Sequence, residues 1–201
     1  MAAIRRGSRG PRTRGRGSPA EGLLRLGVLP VAATALTATL ALYTTLVAFG
    51  NITDFDTNRE FVRHVLAMDT TFQDEDLMWR AVTSRTLQDA AYVAVIVWET
   101  LAALALLAGT ALWIRGLVAR GVRRAGYGSA RRATTLGLVM LMLLFGMGFI
   151  AIGGEWFAMW QSSEWNGLSA AARNFMMAGF VLVLIHVPSP QWGGPDAGPR
   201  D

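Results

Sequence analysis

Apolar residues fall in four blocks, at about 28–49, 90–114, 136–157 and 168–187. Each is close to the roughly 20 residues that an α-helix needs to cross about 30 Å of hydrocarbon. The blocks are apolar all round rather than striped at helical spacing, as lipid-facing helices are. The pattern predicts an all-α polytopic membrane protein. Its core is a bundle of four transmembrane helices over residues 26–187, between polar tails at 1–25 and 188–201. The connection 50–89 is too long for a plain link between neighbouring helices and predicts structure of its own. Within it Phe61, Val62, Val65, Leu66 and Met68 recur at helical spacing, after Thr57-Asn58-Arg59-Glu60, which fits a capping box. An amphipathic helix lying on the bundle or membrane surface follows. The acids Asp74, Glu75 and Asp76 suit the start of a second helix leading into the second span.

Charge then orients the bundle. Residues 1–22 hold six arginines, and 115–132 hold six more with no acid, whereas 51–89 hold eight acids and four arginines. Basic loops stay cytoplasmic, so the tail and the 115–132 connection are expected inside. Both termini are then cytoplasmic, and the loops 50–89 and 158–167 face outward, in a multi-pass protein of the inner (plasma) membrane. The first block is read as a retained span: it is long for a signal-peptide core, and VAFGNIT offers no small-residue cleavage site. Trp156, Trp160 and Trp165 fall where the third span leaves the membrane, the depth that tryptophan favours because its ring is apolar and its N–H seeks water. Trp79 and Trp98 suit the same role near the second span, and Trp113 and Trp192 suit the inner face.

Three charged residues are candidate functional or structural sites. Glu99 lies about nine residues inside the second block. At about 1.5 Å per residue it is expected near mid-membrane, where a carboxylate must be paired, hydrated or protonated. It is either a proton or cation site or an interhelical hydrogen bond. Glu155 stands at the end of the third block and Arg173 about five residues inside the fourth, so an ion pair joining the two spans is expected, with a substrate or ion site as the alternative. Small residues four apart, Ala105 with Gly109 and Ala133 with Gly137, allow close helix packing within the bundle.

Much chemistry is excluded. The chain has no cysteine, hence no disulfide, thiolate metal site or thiol redox cycle. DFDTN at 54–58 begins like a calcium loop, but Arg59 replaces the required glycine and Val65 stands at the twelfth position. Asn51-Ile52-Thr53 fits a glycosylation sequon, which has meaning in a eukaryotic secretory host. His64 and His186 lie at opposite ends of the fold and cannot sandwich a haem. No cofactor is implied. The arginine-rich tail suits anionic lipid rather than nucleic acid once it is tethered to a membrane.

Three segments taken together resemble a bacterial family described as predicted small integral membrane proteins, a domain without an assigned function. They are NITDFDTNREFVRHVLAMDTTF after the first span, the dipeptide Trp98-Glu99 in the second, and GGEWFAMWQSSEWNG closing the third. The resemblance covers residues 26–187 and implies a four-span inner-membrane protein in which Asn51–Phe72, Glu99 and Gly154-Glu155-Trp156 are family features. It implies no activity. With no nucleophile–base pair, phosphate loop or metal-ligand cluster in the chain, the expectation is a non-enzymatic accessory or assembly component of a membrane complex, meeting a membrane protein partner or further copies of itself. The alternative is a small proton-linked transporter or channel that uses Glu99.

Overall fold

The structure, a computed structural model, describes residues 28–119 and 126–192. The arginine tail, the centre of the second basic connection and the last nine residues lie outside it. Four helices are long and apolar enough to cross a membrane. They are α1 (Leu29–Thr53), α3 (Arg85–Val118), α4 (Gly128–Met142, continuing unbroken to Trp156) and α5 (Leu168–His186). A shorter amphipathic helix, α2 (Phe55–Ala67), follows α1 directly. Among the described residues there is no strand, and the fold is the expected all-α membrane bundle.

The helices outrun their apolar blocks because composition marks the hydrocarbon, not the hydrogen-bonded helix. α3 has 34 residues, about 51 Å at 1.5 Å per residue, so it extends well past the bilayer core. It is the central element, packed against α1 on one side and α4 on the other, with α5 against α4. Pro30 opens α1 in the first turn, where its missing N–H costs nothing. The hydroxyls of Thr34, Thr39, Thr44, Thr45 and Thr53 donate to the carbonyl four residues back, which satisfies them without water.

α3 and α4 approach closely through glycine. A Cβ on Gly109 would lie 2.5 Å from Thr134 Oγ1 and 3.1 Å from its backbone nitrogen, and one on Gly137 would lie 2.7 Å from Leu106 Cγ. The Trp113 indole donates to Thr134 Oγ1 at 3.0 Å in the same contact. Trp113 and Trp192 are buried, not placed at a lipid interface: Trp192 packs on Trp113 and Tyr127, while its indole N–H donates to Val187 O. Residues 188–192, expected as tail, are therefore part of the bundle. Trp98 also differs from expectation, because its indole donates to Met140 O and bonds α3 to α4 along their length.

The end of the bundle that carries residues 54–84, the loop end, is knitted from several segments. α2 starts at Phe55, two residues before the expected capping box, and the Thr57 hydroxyl donates to Asp54 Oδ1 instead. Glu60 is engaged by Arg63. No long helix starts at Asp74: a tight turn in which Asp74 Oδ1 accepts the Asp76 N–H leads to a single 3₁₀ turn, Met78–Arg80, and α3 begins at Arg85. Met68 and Ala158 both take left-handed backbone, at φ 55° and φ 50°, which costs a non-glycine residue roughly 1–2 kcal/mol. They end α2 and the third span and pack together with Phe157, so burial holds both turns.

The second half of the third span, Leu143–Trp156, winds as a π-helix, its bonds reaching five residues back, as from Phe157 N to Ile152 O. Glycine shapes the packing of this wide turn: a Cβ on Gly146 would strike the Phe175 ring at 2.7 Å, and one on Gly154 would strike Leu168 at 2.8 Å. Winding of this kind is rare in proteins.

Candidate functional site

The polar core of the loop end centres on Asn51, in the last turn of α1. Its side-chain amide donates to Glu99 Oε2 at 2.6 Å. Its Oδ1 accepts from Asn58 Nδ2 of α2 at 2.6 Å, and its backbone oxygen accepts from the Tyr92 hydroxyl at 3.2 Å. One asparagine thus joins α1, α2 and α3. Glu99 is 3% exposed, and its carboxylate forms no ion pair and no other hydrogen bond among the described residues. The bond to Asn51 sets Glu99 level with the last turn of α1, nearer the loop end than a count from the edge of the second apolar block places it.

Glu99, Asn51, Asn58 and Tyr92 border a cavity of about 240 Å³ that Phe145 and Phe149 of the π-helical stretch also line. A second cavity of about 210 Å³ adjoins it, sharing Phe61, Val62, Val95 and Phe149, and its walls are apolar. α2 roofs both. Its apolar stripe, expected to lie on the bundle or membrane surface, faces these cavities.

Ionic contacts hold the roof on its polar side. Arg63 makes a bidentate contact with Asp89 of α3, at 2.9 and 3.0 Å, and a bond to Glu60 at 2.6 Å. Loss of surrounding water works against the Arg63 charge, but the bonds and charges of Glu60 and Asp89 outweigh it and hold its pKa above the ordinary value. His64 stacks on Trp165, ring centroids 4.5 Å apart, and bonds Asp69. Gly167 lets the Phe61 ring lie against the chain before α5, where a Cβ would come within 2.9 Å.

The other sequence candidates lie apart from this site. Glu155 and Arg173 are both exposed and are not joined in an ion pair, against expectation. Arg173 points away from the bundle, from where a long side chain reaches the interface by snorkelling. Its neighbour Asn174 points inward and accepts from the Tyr43 hydroxyl at 3.0 Å. Trp156 and Trp160 are half exposed at the loop end, in edge contacts with Trp79 and Phe72, while Trp165 is partly covered beneath α2. Arg80 lies 4.8 Å from the Trp156 ring centre.

Sequence reading missed Asn51 as the partner of Glu99 and Asn58 as the partner of Asn51, having met them in a sequon and in a capping box. A usable signal was present: Asn51 is a polar residue just past an apolar block, one helix away from an acid that needs a donor. No curated protein and no solved structure matches the chain. A family pattern does, over residues 29–188, the four spans with their loop-end cap, and the chain belongs to that family, described as predicted small integral membrane protein (DUF2165).

Proposed function

We propose that the protein is a non-enzymatic, proton-linked transporter or channel of the inner membrane in which Glu99 is the working group. The observation that carries this reading is Glu99, 3% exposed, its carboxylate held by one amide donor and in no ion pair among the described residues, on the wall of a cavity. A buried carboxylate without a counter-charge is unfavourable by several kcal/mol, and a proton or a bound cation removes that cost. Uptake and release of a proton at Glu99 then change the charge inside the cavity, and that change couples occupancy to the proton gradient. In this reading the arginine-rich tail and the 115–132 connection face the cytoplasm, the tail against anionic lipid, and the loop end faces outward.

Two experiments test it. In proteoliposomes, wild type carries a proton flux that Glu99→Gln abolishes while the variant remains folded in the bilayer; equal flux from both refutes the reading. The chain has no cysteine, so single substitutions report topology cleanly. An impermeant maleimide labels Ser163→Cys in intact cells, and Ser129→Cys reacts after lysis; the reverse pattern inverts the orientation.

A second reading, an accessory or assembly component, is favoured by the aromatic surface of the loop end, where Phe72 is 73% and Trp79 70% exposed. A stoichiometric partner in mild detergent, lost when both are changed to serine, supports it. A homogeneous particle of this chain alone refutes it.

A further inference from the structure

We propose that the two cavities beneath α2 form one site for a hydrophobic organic cation, its charged head against Glu99 and its apolar body toward Val65, Leu66 and Gly148. The inference rests on the reading of Glu99 as the working carboxylate and names what competes with the proton there.

The chemistry of the walls selects the ligand. The Glu99 carboxylate is the charge in the cavity lining, and no ion pair compensates it among the described residues. A positive ligand removes the cost of burying it. A metal ion fits poorly: hard cations take six or more oxygen ligands, and no group of three or more acidic, histidine or cysteine side chains able to hold a metal occurs among the described residues. Aromatic side chains line the same cavity instead, Tyr92, Phe145, Phe149 and Phe61. Ring faces attract a cation within about 6 Å and accept its alkyl or aryl substituents as apolar surface. Strongly hydrated ammonium heads would lose more water than this site replaces, which favours substituted cations. The adjoining cavity, apolar throughout its lining, extends the same space under α2. Volumes of about 240 and 210 Å³ are each small for a ligand, but joined they fall within the roughly 300–1,000 Å³ of organic-ligand pockets. Binding needs no covalent step: the cation enters, and the Glu99 proton leaves to water.

The test uses the full chain in lipid nanodiscs, titrated by calorimetry with benzyltrimethylammonium and with its uncharged carbon isostere, neopentylbenzene, against empty discs. The expected result is saturable binding of the cation, at least tenfold weaker binding of the isostere, and weakening of cation binding as the pH is lowered. Glu99→Gln is expected to reduce cation affinity at least tenfold. Val62→Trp, which fills the shared space and leaves Glu99 in place, is expected to do the same. Should neither variant fold, the isostere ratio and the pH dependence of the wild type decide. Equal binding of cation and isostere, equal binding by wild type and Glu99→Gln, or no saturable binding overturns the proposal. Glu99-dependent proton uptake without cation binding overturns this inference and leaves the proton-linked reading standing; loss of both removes both.

Discussion

Asn51→Ala isolates the bond on which the site depends. The substitution removes the donor to Glu99 Oε2 and the acceptor for Asn58, and leaves the backbone oxygen that Tyr92 uses. Asn58 is exposed, so water replaces its lost partner and that half costs a few tenths of a kcal/mol at most. Glu99 is buried, so its half dominates. A hydrogen bond to an ionised group contributes about 1.5–3 kcal/mol and one to a neutral group about 1 kcal/mol. The substitution is therefore expected to cost about 2–3 kcal/mol where Glu99 is ionised and about 1 kcal/mol where it is protonated. The cost is larger at high pH and falls as the pH is lowered through the Glu99 titration. Reversible unfolding in mixed micelles at several pH values measures it. In a Glu99→Gln background, where the acceptor is always neutral, Asn51→Ala should cost about 1 kcal/mol at every pH. The reasoning is refuted if the cost in the wild-type background is independent of pH, or if it equals that in the Glu99→Gln background at high pH.

Two further outcomes follow from the packing. Gly109→Ala forces a Cβ into Thr134 and its Trp113 bond and is expected to destabilise by about 1–3 kcal/mol, whereas Gly50→Ala, with nothing within 4 Å, should stabilise α1 by about 0.5–1 kcal/mol; thermal unfolding in detergent gives both signs. Arg63→Ala releases α2 from Asp89 of α3 and should speed hydrogen exchange across α2 while α5 exchanges as before.

The spans were legible because lipid imposes a composition, and length follows from bilayer thickness. The amphipathic stripe of α2 was legible for the same kind of reason, since Phe61, Val62 and Val65 repeat at helical spacing. What that stripe covers was not. A moment along one helix shows that a face must be buried, and its partner is set by the fold. Glu99 stood out as an acid among apolar residues, but its depth needed the register between α1 and α3, which the Asn51 bond supplies. The expected Glu155–Arg173 pair rested on matching depths alone. Depth leaves the rotation of each helix free, and Arg173 is turned away from the bundle while Asn174 takes the inward position. The burial of Trp113 and Trp192 was missed because tryptophan near a span end reads as interfacial, and their mutual contact depends on a turn at Pro190–Trp192 that composition assigned to the tail.

The measurement that bears most directly on the central claim is infrared difference spectroscopy of the full chain in lipid, titrated in pH and compared with Glu99→Gln. The account expects a carboxyl C=O band that appears on acidification, shifts on carboxyl ¹³C-glutamate labelling, disappears in Glu99→Gln and shifts in Asn51→Ala. A wild-type spectrum with no Glu99-dependent band across the titration would contradict it, because the buried carboxylate would then hold one protonation state throughout and could not couple anything to protons.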